Sequence, residues 1–548
     1  MEHDTQLKEL SHVVFRAKKT DQEWLTVLAQ ARHSHPSLIA VEITARGLWV
    51  STCEETKLGC PNCLSYYHRE RLLFPEELKN KEIIGPIARA LTEKVAESPY
   101  QLAVHVTPDG QTKLYRLFPH PDCGNCTKHH HREMPPLQVK DLIPFRQRDL
   151  GAIQALWNSV PLGAVSVFKD LQVYTYKGLA IARLQTELSC RTEYGIGRSF
   201  DQQAAASVAL LEAVERLALN GSMGDAAGVM ASYNQMPNAI HPHHLLGGEW
   251  ASKFEEEKPF LWVQGTSLMT GEAVTVPAQL IFFENEEILH SRGECRFHHT
   301  TSNGTAVGSH AIEAAFYALQ EVWERHRALT VWQEKEGMTC WPLHLFANED
   351  KIAHLLDYFQ KEGCQVQIIN TGGESLLSTV WVHLRWVRGQ VNAIGSGIDP
   401  HKAVLGALVE LFTGYLNFRQ ITTEQAQRTE VLLDSLESIQ RMEDHVLFYL
   451  HPSQREKFTF LDRLPIEEAS YKNGMRQGEG IREQGLTKAL ERMTEECSQR
   501  GQEIVAFDVT PAWVRKIDPV LCVVKVMIKN SCVWQYGFSL EREPHPFL

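Results

Sequence analysis

Three stretches of the chain are patterned as buried helices and yet carry charge in their apolar interiors. Residues 204–219 read AAASVALLEAVERLAL, with Glu212, Glu215 and Arg216 in the middle. Residues 310–329 read HAIEAAFYALQEVWERHRAL, where Glu321 and Glu324 again stand three apart with Arg325 next. In the third, DPHKAVLGALVELFTGYL (399–416), Asp399 is placed to cap a helix and Pro400 suits its first turn. Glu410 is the only charge in the fourteen residues from Ala403 to Leu416. The first helix is expected to open on a capping box of Ser199 and Gln202. Ahead of it, GIGRS offers Gly195, Gly197 and Arg198 as backbone N–H groups and a cation for an anion.

From about residue 146 the pattern alternates apolar strands with apolar helices, which predicts a mixed α/β (α+β) domain over 146–548. Residues 420–500 are more polar and helical. EIVAFDVT, VLCVVKVMI and CVWQYGFSL, near the end, read as strands by their β-branched content and are expected to complete the sheet begun earlier. Residues 1–145 differ. They are rich in Cys and His and close on a Pro-containing connector, REMPPLQVKDLIPF, so a small separate α/β domain is expected there. A chain of 548 residues is in any case too long for one ordinary core.

A net charge of −12 argues against nucleic-acid partners, which are held by an excess of Lys and Arg. No apolar run reaches the length of a membrane span, and the opening MEHDTQLKEL has neither the basic region nor the apolar block of a signal peptide. A cytoplasmic protein is expected. Its twelve cysteines are then reduced, metal-bound or buried rather than paired. Cys60 with Cys63, and Cys123 with Cys126, form two Cys-x-x-Cys pairs in knuckle-like turns, GCPNC and CGNC. Four thiolates would close a tetrahedral, structural Zn²⁺ site, although 59 residues separate the pairs, more than in a usual zinc ribbon. Unmetallated thiols or a redox pair are the alternatives.

An unpaired buried carboxylate costs several kcal/mol, so such groups are neutralised or matched by cations. Five glutamates on three packed helices exceed what Arg216 and Arg325 can match. Oxygen ligands at i,i+3 helical spacing suit Mg²⁺, which keeps waters and is commonly shared with substrate phosphates. The residues alone leave two readings, a Mg-nucleotide site and a structural ion-pair network.

SVALLEAVER, TSNGTAVGSHAIEAAFYALQEVWER, GSGIDPHKAVLGALVE, MEDHVLFYLHP and the terminal PHPFL, in that order, resemble the successive motifs of the YcaO family. The likeness is to its azoline-forming cyclodehydratases, which act in the biosynthesis of thiazole/oxazole-modified microcins and bacteriocins. GCPNCLSYYHRER and LFPHPDCGNC resemble the zinc-binding half of a ubiquitin-activating-enzyme-like domain, here truncated. The resemblance implies an ATP-dependent enzyme that converts Cys, or Ser/Thr, of a ribosomal precursor peptide to azolines through phosphorylation of the backbone amide oxygen. Glu212, Glu215, Glu321 and Glu324 match the family's Mg²⁺-binding glutamates, and Glu410 the third-helix one. Arg198, Arg216, Asn303 and Arg325 match positions beside the nucleotide, and His545 or the α-carboxylate of Leu548 is the implied base. The family's alternative chemistries, thioamide and amidine formation, use the same glutamates; a non-catalytic peptide scaffold is a third reading. A separate leader-peptide-recognition protein, a downstream azoline dehydrogenase and a homodimer are the implied partners. Two departures stand out. The family Ser four residues before the first Glu is Val208 here, with Ser207 one earlier, and Thr413 and Gly414 stand where a Gln is common.

Overall fold

The computed structural model describes most of residues 160–534, together with 542–548. Of the region before residue 160 it describes five strands, residues 107, 111, 118–120 and 145–146, and single positions around Cys60, Ala88, Tyr100, Cys123 and Leu156.

The first five strands, β1 (Val13–Phe15), β2 (Leu38–Thr44), β3 (Gly47–Cys53), β4 (Gln101–Val106) and β5 (Thr112–Leu117), form one sheet in that order. A small core of Ile39, Val41, Val50, Ala88 and Leu102 covers it. At its end Phe118 packs edge-on against Phe168 and Trp513, so this unit shares packing with the larger part of the chain.

The antiparallel sheet β6 (Phe168–Tyr176), β7 (Leu179–Glu187), β8 (Thr192–Ser199) follows. Then come β9 (Val229–Ala231), β10 (Phe260–Ser267), β11 (Ala273–Pro277) and β12 (Thr305–Gly308), and the four-stranded antiparallel sheet β13 (Thr339–Trp341), β14 (Gln365–Asn370), β15 (Ser378–Trp386), β16 (Gly389–Gly397). Two late strands, β17 (Ile504–Asp508) and β18 (Cys522–Ile528), return to the second group and insert between β10 and β12, as expected from their β-branched runs. The third such run lies mostly outside the described residues.

Three helices lie over the seams of these sheets. The helix α1 (Gln202–Ala218) packs on β7 and β8, α2 (Ala311–Glu334) on β12, β18 and β16, and α3 (Pro400–Phe418) on β15 and β16. Their apolar faces fill the cores: Ala209 and Val214 with Trp262 and Val505, Ile312 and Leu319 with Val524, Leu411 and Phe412 with Trp381.

The expected capping box at Ser199 is not the start of α1. Strand β8 runs through Ser199, and Asp201 caps the helix by accepting from Ala204 N at 2.7 Å. Asp399 caps α3 as expected, accepting from Lys402 N at 3.0 Å. No helix among the described residues is long and apolar enough to cross a membrane.

Candidate active site

The three carboxylate helices are built on one plan. In each, a strand ends, one residue follows, the next caps a helix, and the helix begins: Ser199 to Asp201 to α1, Gly308 to His310 to α2, Gly397 to Asp399 to α3. Eleven positions beyond each cap stands a glutamate, Glu212, Glu321 or Glu410, and three further stand Glu215, Glu324 and Thr413.

The residue at this further position reaches the strand of the next unit, three positions before its cap. Glu215 Oε1 accepts from Val307 N at 2.9 Å, and Glu324 Oε2 accepts from Ser396 Oγ at 2.7 Å. Arg198 Nε donates to Thr413 Oγ1 at 2.9 Å, which brings the third helix back to the first strand. The three units therefore close a ring, with the glutamates gathered at the helix junction.

Each wall holds its acids in place. Glu212 Oε2 accepts from Ile196 N at 2.7 Å, while Oε1 accepts from Arg216 at 2.8 Å; Arg216 also bridges to Glu193 at 2.9 Å. Glu321 Oε2 accepts from Gly304 N at 2.9 Å and lies 3.5 Å from the Arg325 guanidinium. Burial, reinforced by the neighbouring carboxylates, pushes Glu215 up to about 8 and Glu324 to about 7. Glu410 is raised for the same reason, against the pull of Arg198 and Arg325, and it feels both Glu321 and Glu212. All five are half-buried rather than sealed.

The Gly-x-Gly of β8 serves this geometry by close packing. A Cβ on Gly197 would stand 1.8 Å from Ala205 O, so only glycine lets α1 lie this near its strand, and Gly395 of β16 does the same beneath α3. Ser207 is fully buried with its hydroxyl unpartnered among the described residues, whereas Val208, four before Glu212, is 40% exposed. The departure at this motif thus puts an apolar side chain on the open face of α1.

Sequence reasoning missed Lys525. It lies on β18 opposite Thr305, is buried, and donates to Thr301 O at 2.8 Å and Asn303 O at 3.1 Å, fixing the loop that supplies Gly304 N to Glu321. Burial lowers its ammonium to about 8 while Glu321 supports the charge. A single Lys inside VLCVVKVMI was the available signal. Asn303 Oδ1 is buried with no hydrogen-bond partner among the described residues. Just past the connector, Arg146 bonds Glu313 at 3.0 Å.

The tail docks on the third unit. Pro544 O accepts from Trp332 Nε1 at 2.8 Å and from Tyr449 Oη at 2.5 Å; Leu548 N donates to Asn392 O at 3.0 Å. His545 is buried, stacked on His445 with centroids 4.3 Å apart and 3.9 Å from the Trp534 ring. Both its ring nitrogens lack a partner among the described residues, and burial holds it neutral, well below the ordinary histidine range. The Leu548 side chain rests on Gly414, one turn beyond Glu410.

Away from the ring, Cys60, Cys63 and Cys123 are buried together. The Cys60 Sγ lies 3.7 Å from that of Cys63 and 3.6 Å from that of Cys123, and His120 N donates to Cys63 Sγ at 3.3 Å. Tetrahedral thiolates around zinc stand about 3.8 Å apart, so the three fit such an ion. Cys126 lies outside the described residues. Among the described residues these cysteines are the only group of three metal-ligating side chains with atoms all within 4.8 Å of one another. The ring glutamates are set wider, as suits cations shared with another oxygen-rich ligand rather than a closed cage.

A ring of carboxylates on three packed helices, backed by guanidinium groups and an ordered Asn-Gly loop, offers the oxygen donors and cations that suit divalent ions shared with a polyphosphate. The family model described as YcaO cyclodehydratase, ATP- and Mg²⁺-binding, matches residues 196–530. The chain belongs to the YcaO family, an ATP- and Mg²⁺-binding family. Among solved structures it is similar to a heterocyclase in complex with substrate and cofactor: TM-score 0.69 at 17% identity, covering 96% of this chain and 79% of that one. It is also similar to the heterocyclase TruD, with TM-score 0.64 at 16% identity over 96% and 74%. A third likeness is to YcaO from Methanopyrus kandleri bound with AMPPCP and Mg²⁺, with TM-score 0.50 at 18% identity over 74% and 98%. At these identities the likenesses speak for the fold. A search of curated protein sequences found no match.

Proposed function

We propose that this YcaO cyclodehydratase forms azolines in a ribosomal precursor peptide. A Cys thiol, or a Ser/Thr hydroxyl, gives its proton to a base and attacks the preceding amide carbonyl. The resulting oxyanion takes the γ-phosphoryl of ATP with release of ADP, and loss of inorganic phosphate, which carries the former carbonyl oxygen, together with the amide proton leaves the ring. The observation that carries this reading is the closed ring of five glutamates with its main-chain and arginine supports.

In this reading Glu212, Glu215, Glu321 and Glu324 would hold Mg²⁺, whose chemistry there would be to neutralise charge on the transferred phosphoryl, with Glu410 completing the wall. The raised carboxylates fit it, since a cation removes the cost of ionising them. Arg198, Arg216 and Arg325 balance the remaining charge, and Asn303 has an amide oxygen to offer. Proton transfer is assigned to the tail. His545, buried and neutral, is the weaker candidate; the Leu548 side chain rests on Gly414, one turn beyond Glu410 on α3. Cys60, Cys63, Cys123 and Cys126 hold a structural Zn²⁺ in the N-terminal unit, residues 1–145. A separate protein recognises the leader peptide, a dehydrogenase acts afterwards, and the enzyme works as a homodimer in the cytoplasm. The substrate-bound heterocyclase supports a peptide partner.

The test is mass spectrometry of a Cys-rich precursor peptide incubated with the protein, Mg-ATP and its delivery partner. One water mass should be lost per ring, and Glu212→Gln should abolish the loss. Intact peptide despite demonstrated Mg-ATP and peptide binding would overturn azoline formation in favour of another nucleophile.

A further inference from the structure

The three seams of the ring are not equivalent. After the second acid, α1 has Arg216 and α2 has Arg325, but α3 has Thr413 in place of the acid and Gly414 in place of the arginine. The space an arginine stem would take is filled by the tail. A Cβ on Gly414 would lie 2.3 Å from Leu548 Cδ1 and 2.8 Å from Cδ2. The main chain here is held, because Asn392 O accepts from the Leu548 N–H and Phe547, fully buried, pairs with Asn392 and packs against Trp381, so the Leu548 side chain gives way to a methyl on residue 414 only by swinging off this seat. Asn392 is itself fixed, its Oδ1 2.8 Å from Trp381 Nε1 and 2.7 Å from His383 Nδ1. The residue beside Gly414 is Thr413, which carries the Arg198 contact.

We infer that Gly414 is a positioning residue that seats Leu548 at the one seam where the ring has no second carboxylate, and so sets the tail for turnover. The inference rests on the azoline reading only for the consequence in turnover; the seat itself is measurable without it.

Three measurements test it in the full-length protein: amide exchange over residues 545–548, Mg-ATP binding (Kd), and the kinetics of ring formation (kcat and KM for ATP). In Gly414→Ala, tail exchange should quicken and kcat fall, each by about tenfold, with the Mg-ATP Kd within about twofold of the parent. Leu548→Ala removes both Cδ atoms, so Gly414→Ala added to it should cost almost nothing further, a non-additive pair. Unchanged tail exchange in Gly414→Ala overturns the seat. Additive effects in the pair, or a loss of Mg-ATP affinity as large as the loss of kcat, overturn the positioning role and leave a general disturbance of α3. If the parent protein forms no rings, the azoline reading fails, while tail exchange, its non-additivity with Leu548→Ala and the Mg-ATP Kd still decide for or against the Gly414 seat.

Discussion

Glu215 illustrates what one acid of the ring costs and what it is for. Its carboxylate accepts a main-chain N–H from Val307, yet burial and the nearby Glu212 and Glu321 carboxylates push it up to about 8. In the unfolded chain it titrates near the ordinary 4.5. Between these values the folded, cation-free protein binds a proton that the unfolded chain has released, so stability falls as pH rises through that window. Glu215→Gln should flatten the slope, measured by denaturant unfolding without Mg²⁺ at pH 5, 6.5 and 8. An unaltered slope would show that other groups govern it. Mg-ATP should oppose the decline in the parent, because ligand binding favours the deprotonated acids. Lys525 makes a separate prediction. Lys525→Met keeps the stem but removes the hydrogen bonds to Thr301 O and Asn303 O and the charge facing Glu321. The KM for ATP should rise about tenfold with the melting temperature little changed, since an apolar stem replaces a desolvated ammonium. Unchanged ATP kinetics would make Lys525 a core residue only.

At the scale of elements the repeated unit is a strand, one residue, a cap and a helix. Its glutamate register works because the helix lies unusually close to its strand. Gly197→Val puts a branched side chain where a single Cβ already meets Ala205 O at 1.8 Å. α1 must move outward, at a cost of about 1–3 kcal/mol or more. Glu212 would then lose Ile196 N, and Mg-ATP affinity should fall together with thermal stability. Calorimetric titration that shows full affinity in a destabilised variant would mean the carboxylates are set by something other than this packing. The sequence made part of this visible. Charged residues inside apolar helical runs pointed to Glu212, Glu215, Glu321, Glu324 and Glu410, and the Asp399–Pro400 start was readable from cap chemistry alone. The common register was hidden, because the caps differ in kind, Asp201, His310 and Asp399, and α3 replaces Glu and Arg with Thr413 and Gly414. The glycines of GIGRS were read as a cradle for an anion, since local spacing does not say what approaches a backbone from across the fold. Lys525 stayed hidden for the same reason: its meaning comes from β12 and its preceding loop, some 220 residues earlier in the chain.

For the whole molecule, the open matter is whether the N-terminal unit is needed to hold the ring or serves the peptide. Its cysteine cluster and the ring are separate constructions. Among the described residues, Glu212, Glu215, Glu321 and Glu324 take their hydrogen bonds from β8, the β12 region, β16 and their own helices, and none from residues before β8, whereas Cys60, Cys63 and Cys123 sit against Trp49, Ala103 and Leu117. Among the described residues, Phe118 packs on Phe168 and Trp513, and Phe145 packs edge-on against Phe316 of α2 and accepts a hydrogen bond from Tyr317 Oη at 3.2 Å; just beyond it, Arg146 bonds Glu313 on the first turn of α2, eight residues before Glu321. Bound zinc would stabilise the folded N-terminal unit directly, because its thiolates have no preformed site in the unfolded chain. Replacing Cys60 and Cys63 together with serine should therefore bring the zinc content, measured by atomic emission, from about one ion per chain to near none. It should also split thermal unfolding into two transitions, the earlier one belonging to the N-terminal sheet, while the Mg-ATP Kd stays within about twofold of the parent. Peptide turnover should fall even so, because the unit would no longer present its surface to the substrate or to the delivery partner. Should Mg-ATP binding collapse with the zinc, the path through Phe118 and Phe145 would be carrying the ring, and the N-terminal unit would have to be counted as part of the nucleotide site.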